Sequence, residues 1–222
     1  MGVADRDSYL SGVVGALRAQ WPANRTVNIV CHGHSFPAGY TETPVVDQFS
    51  AYPHLLHRAL KERFPFAVIN VIVTAVGGEC SRGGTERFER DALCHQPDVV
   101  TIDYGLNDRH IDLGEAYDCW SAMIESALGR GVKLILMSPA IDPVGKGAAP
   151  DEHLALIKKH TEQILTLAEK YGVGFADVFG AYERYVRDCG ELMDLYNPNH
   201  PNRKGHEVIA QEVLRWFWAT DQ

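Results

Sequence analysis

Val27-Asn28-Ile29-Val30-Cys31-His32-Gly33-His34-Ser35-Phe36-Pro37-Ala38-Gly39 is the stretch on which the reading of the fold turns. Residues 27–31 are short, β-branched and almost wholly apolar, the pattern of a strand covered on both faces, and the glycines and proline after them mark a loop. Four further runs of this kind follow at 67–73, 98–102, 132–137 and, weakest, 173–177. Between them lie segments of helical period at 49–64, 115–128 and 151–171, the last with Leu154, Ile157, Ile164, Leu165 and Ala168 on one side. Tyr9, Val13 and Leu17 recur at helical spacing near the start, and a final helix is expected from an Asn202 N-cap through Ile209 and Val213 to Trp216. Strands alternating with helices predict an α/β protein, a three-layer sandwich around a central parallel sheet of about five strands. With no internal repeat or linker, residues 1–222 are expected to form one domain.

Composition narrows the function classes. A net charge of -8 argues against a broad nucleic-acid footprint and against electrostatic attachment to anionic lipid. No run approaches the roughly 18 apolar residues that a membrane span needs. Five scattered cysteines (Cys31, Cys80, Cys94, Cys119, Cys189) form neither a disulfide framework nor a zinc site, and a reducing cytoplasm is the expected setting. Asp5-Arg6-Asp7 is a poor start for a secretory signal, and the apolar stretch after it is short and has no small-residue cleavage site.

In an open parallel sheet, ligands bind beyond the carboxyl ends of the strands, so the segments to inspect are 32–40, 77–84, 104–110, 138–147 and the loop 197–204. In the first, Ser35 follows a strand with Gly33 two positions earlier, which exposes a hydroxyl above the sheet. In the second, Gly78 offers a backbone N–H to an anion, the GxxxxGK[ST] phosphate loop is absent, and Gly83-Gly84 reads as a turn. In the third, Asn107 can aim its amide at a developing negative charge. In the last, His200 sits just before the final helix as a candidate base. Taken singly, each also fits a capping serine, a turn or a loop residue.

Taken in order, Gly33-x-Ser35, Gly78-Glu79-Cys80-Ser81, Gly105-x-Asn107-Asp108 and His200-Pro201-Asn202-x-x-Gly205 resemble the four blocks of the SGNH hydrolase superfamily, the GDSL-like lipases and esterases. The resemblance runs from about Val27 to Val213. It implies a flavodoxin-like fold, Ser35 as nucleophile, His200 as its base, and an oxyanion hole from the Ser35 and Gly78 N–H groups and the Asn107 side chain. It implies no metal or organic cofactor and a small-molecule ester as the partner. Two departures stand out. His34 replaces the usual Asp of the Gly-Asp-Ser block, which implies a local rearrangement of hydrogen bonds. Asn197 stands three residues before His200, where the family carries its triad acid. Asp194 is the nearest upstream acid, so either it or a backbone carbonyl, leaving a Ser-His dyad, is expected to orient the base. The walls expected from 36–49, with Tyr40 and Pro44, and from 138–150 carry no extended apolar surface, which points to short-chain esters, a class that includes carbohydrate acetyl esters.

Two other readings compete. His32-x-His34 with Asp103 or Asp108 resembles the metal pair of amidohydrolases, but that chemistry needs a longer barrel. A non-catalytic carbohydrate-binding protein on the same fold would explain the altered acid positions. Trp216-Phe217-Trp218 cannot all face one side of a helix and is expected to pack partly against the N-terminal helix; it sets no oligomeric state.

Overall fold

The computed structural model describes residues 2–143 and 150–218. The chain runs through α1 (Ser11–Arg18), β1 (Thr26–Gly33), the one-turn α2 (Ser35–Ala38), a hairpin of β2 (Tyr40–Glu42) and β3 (Val45–Val46), and α3 (Tyr52–Arg63). β4 (Val68–Val73), α4 (Ser81–Arg87), β5 (Val99–Asp103), α5 (Leu113–Leu128) and β6 (Lys133–Met137) follow. α6 (Pro150–Tyr171), β7 (Gly174–Ala176), α7 (Val178–Asp188) and α8 (Arg203–Leu214) complete it.

Five strands pair in parallel in the order β4-β1-β5-β6-β7, all five of them from the runs read in the sequence. Their side chains alternate between two cores. Val27, Ile29 and Cys31 of β1 and Ile135 of β6 join α1, α3 and α8 through Leu17, Leu56, Leu60, Ile209 and Val213. Val30, Ile102, Leu134 and Leu136 face the other way, onto Trp120 and Ile124 of α5 and Ile164 and Ala168 of α6. Each buried Val, Leu or Ile among them stabilises the fold by about 1.5–3 kcal/mol, which is why the sheet has helices on both faces.

Several local expectations change. The 67–73 run is the sheet edge rather than a strand covered on both faces, and Val68 and Val73 are exposed. Asp177 does not end β7. It caps α7 by accepting the Gly180 N–H at 2.9 Å, and this helix was not expected. Gly83 and Gly84 are no turn: they lie in α4, where Gly84 is packed against the Tyr104 ring. Asn202 does cap α8, accepting the Gly205 N–H at 3.1 Å. Trp216 and Phe217 are buried, Trp216 edge-on to Tyr9. Residues 144–149 of the wall expected at 138–150 lie outside the described residues. Among the described residues, no helix is long and apolar enough to cross a membrane.

With the strands in this order, the winding direction reverses between β1 and β5, and a crevice opens beyond their carboxyl ends. The loops after these two strands carry Ser35 and Asn107.

Candidate active site

β1 and β5 converge at the register pair Gly33 and Asp103. A Cβ on residue 33 would lie 2.5 Å from the Asp103 carbonyl oxygen, so only glycine lets the strands meet there. Ser35 then opens α2, with its Oγ 3.0 Å from His200 Nε2. His34 caps this turn: its Nδ1 accepts the Phe36 N–H at 3.3 Å and lies 3.3 Å from Ser35 Oγ. Because Nδ1 accepts, the ring proton sits on Nε2, which faces Asp103 Oδ1 at 3.3 Å in a fully buried pair. An imidazole thus does the capping that an aspartate does more often.

His200 lies in a tight loop closed by the Asn197 N–H donating to the His200 carbonyl at 2.8 Å. Its Nδ1 faces the side-chain oxygen of Asn199 at 3.1 Å. The Asn199 amide in turn donates to Thr43 Oγ1 at 3.2 Å, and the Tyr40 ring stacks on the imidazole with centroids 5.8 Å apart. The two orienting candidates from the sequence are occupied differently. Asp194 caps the short turn Leu192–Leu195, its Oδ2 accepting the Glu191 N–H at 3.0 Å and the Tyr185 hydroxyl at 3.2 Å. Asn197 contributes its backbone. Asn199, which sequence reasoning passed over, holds the place against the ring.

Gly78 adopts φ +79, a left-handed conformation that glycine takes without strain. Among the described residues its N–H has no acceptor. Asn107 Nδ2 donates one hydrogen to the Glu79 carbonyl at 3.0 Å, which fixes the amide and leaves the second N–H for the pocket it lines. The Glu79 carboxylate is itself anchored by Arg87 Nε at 2.9 and 3.0 Å and by the Tyr104 hydroxyl at 2.9 Å. Asp108 accepts the Ser81 N–H and the Trp120 Nε1–H, each at 2.7 Å, and burial pushes its pKa up. It therefore ties α4 to the Asn107 loop rather than facing the pocket.

These groups surround a cavity of about 320 Å³, whose wall includes Ser35, Tyr40, Gly78, Asn107 and His200, with Arg109 and Asp142 paired at 3.0 Å. His32 is elsewhere. Both its ring nitrogens are bonded, to Thr74 Oγ1 at 2.8 Å and the Gly84 carbonyl at 3.1 Å, and burial with the nearby Arg87 charge lowers its pKa to about 4. His32 and His34 thus do not share a site. Among the described residues no three His, Cys, Asp or Glu side chains cluster in a way that could hold a metal, which removes the geometric basis of the amidohydrolase-like reading.

Residues 31–208 match the GDSL-like Lipase/Acylhydrolase family. An acetylxylan esterase of Geobacillus stearothermophilus is 22% identical over 168 residues, covering 70% of this chain and 75% of that protein. A crystal structure of an acetylxylan esterase from that organism superposes with a TM-score of 0.75 at 18% identity, over 92% of this chain and 100% of the other. Variants of it described as catalytic mutants replace a serine, a histidine or an aspartate. A lipase/acylhydrolase from Enterococcus faecalis superposes with a TM-score of 0.69 at 21% identity, over 85% of this chain and 94% of that one. The chain belongs to the GDSL-like lipase/acylhydrolase family and is an ester-hydrolysing enzyme rather than a binding module.

Proposed function

We propose that this enzyme is a serine esterase for short-chain carboxylic esters, with acetyl esters of carbohydrates as the favoured class. The observation that carries the reading is the 3.0 Å contact between Ser35 Oγ and His200 Nε2 at the wall of a compact cavity. His200 takes the Ser35 proton as Oγ attacks the ester carbonyl, and its Nδ1–H stays on the Asn199 amide oxygen. The Ser35 and Gly78 N–H groups and the second Asn107 N–H receive the oxyanion. The imidazolium then returns its proton to the departing alcohol, leaving an acyl group on Ser35. A water molecule, deprotonated by the same imidazole, releases it.

Size and polarity support the substrate class. About 320 Å³ is at the small end of ligand pockets, which suits an acetyl group better than a long chain. The Arg109–Asp142 pair, Asn199 and Thr43 line the same cavity and match a hydroxyl-rich leaving group. The similarity to an acetylxylan esterase points the same way. The test is a series of p-nitrophenyl esters from acetate to octanoate, together with acetylated xylo-oligosaccharides. Acetate should be cleaved fastest and acetyl release from the oligosaccharide should be measurable. Faster cleavage of octanoate would reject the short-chain reading, and a folded protein inert to every ester would reject the esterase mechanism.

A further inference from the structure

An amide beside a catalytic imidazole can help or harm, depending on which end it presents. With the oxygen toward Nδ1, the ring proton is held there and Nε2 keeps its lone pair for the serine. With the NH₂ group toward Nδ1, the proton is forced onto Nε2 and the base is blocked. In the protease triad, Asn in place of Asp lowers turnover about 10⁴-fold through this wrong tautomer. An asparagine can therefore serve only if something fixes its amide.

In this enzyme the fixing group comes from 156 residues away. Asn199 Nδ2 donates to Thr43 Oγ1 at 3.2 Å, and the Thr43 N–H faces Asn199 Oδ1 at 3.5 Å. The Thr43 N–H can only donate and so selects the amide oxygen, while the hydroxyl, which could serve either end, accepts from the Nδ2 left facing it; together they hold the amide with its oxygen toward His200 Nδ1. Thr43 sits between β2 and β3, at the tip of the hairpin. At the start of β2, Tyr40 stacks on the His200 ring, and a Cβ on Gly77 would lie 2.8 Å from the Tyr40 ring. One hairpin thus touches the base, its orienting amide and the loop that carries Gly78.

We propose that Asn199 is the positioning residue of His200, in place of a triad acid, and that Thr43 sets which end of its amide the histidine meets. This rests on the reading of Ser35 and His200 as nucleophile and base. Its physical core, the tautomer of a resting imidazole, is measurable without turnover.

The experiment combines nitrogen-15 NMR of histidine-labelled protein with kinetics on p-nitrophenyl acetate, for the wild type, Asn199→Ala, Asn199→Asp, Thr43→Val and the Thr43→Val/Asn199→Ala double variant. Neutral His200 should carry its proton on Nδ1 in the wild type and shift toward Nε2 in Asn199→Ala. That variant should lose about tenfold or more in kcat with KM changed less than about twofold. Thr43→Val should lose about three- to tenfold alone and nothing further in the Asn199→Ala background, because the two act through one contact. Asn199→Asp should move the acid limb of kcat/KM to higher pH, since a carboxylate stabilises the imidazolium. An Nε2–H tautomer in the wild type, an unchanged tautomer and kcat in Asn199→Ala, or additive losses would overturn the proposal. A tautomer that responds to Asn199→Ala in a protein inert to every ester would uphold the positioning role while rejecting the esterase mechanism.

Discussion

Lowering the pH from 7 to 5 should remove a large part of this protein's stability, through three buried histidines. His32, His160 and His206 are at most 1% exposed, and burial is the first cause holding their pKa values at about 4, about 4 and about 3. For His206 the nearby imidazoles of His200 and His34 add to the effect. In the unfolded chain each titrates near 6.5. Each folded value is depressed, so the stabilisation is complete above 6.5. It is lost as pH falls toward 4, or 3 for His206, because unfolding then takes up protons that the folded protein refuses. Between pH 7 and 5 this comes to about 2 kcal/mol per histidine and roughly 5–6 kcal/mol together, against a typical total of about 5–15 kcal/mol. Asp108 works in the opposite direction at lower pH, since its folded pKa is raised and the folded state protonates first. The assay is urea denaturation followed by circular dichroism at pH 7, 6 and 5. His206→Leu is the diagnostic variant, because neither ring nitrogen of His206 has a partner among the described residues. It should reduce the pH dependence by about a third. A stability that changes by less than about 1 kcal/mol over this range, or an unchanged slope in His206→Leu, would refute the reasoning.

Three further outcomes are expected. Ser35→Ala and His200→Ala should each bring turnover near background and the double variant should be hardly worse, since the two act as a unit; additive losses in steady-state kinetics would separate them. Asn107→Ala should lower kcat by about 10²–10³ with little change in KM, because its free N–H meets charge that develops only in the transition state; an unchanged kcat would remove it from the site. Asp194→Asn should change turnover less than about tenfold, equivalent to 1.4 kcal/mol, since Asp194 is spent on capping a turn; a thousandfold loss with an intact circular dichroism spectrum would make it the acid after all.

Periodicity carried the architecture well where the number of covered faces sets an element's apolar pattern. β1, β5 and β6 are near-continuous apolar runs because both faces are covered, and α5 and α6 keep their stripes. β4 has the same composition and lies at the edge, since strand order is set by the connections and leaves no mark on local pattern. α4 was hidden because Gly83-Gly84 reads as a turn, although Gly84 is small so that Tyr104 can approach. The loop motifs likewise led to Ser35, Gly78, Asn107 and His200, which the fold gathers around one cavity. The groups around His200 were not legible. Asn199 reaches its neighbour's ring only because the 197–200 turn folds back, and Thr43 meets it through a tertiary contact that no spacing rule encodes.

The distance along the chain between Ser35 and His200, 165 residues, also sets a clock. The serine leaves β1 early, while its proposed base arrives on the loop ahead of α8, the helix that closes the core against α3. Until that helix docks, Ser35 has beside it only the His34 ring, whose Nδ1 is held by the Phe36 N–H, and lacks the His200 imidazole that draws off its proton in the proposed mechanism. Reaction with a fluorophosphonate during refolding would therefore record the docking of the C-terminal helix rather than the formation of the sheet. On the proposed mechanism, the reactivity of Ser35 is a covalent, time-stamped readout of the arrival of its base.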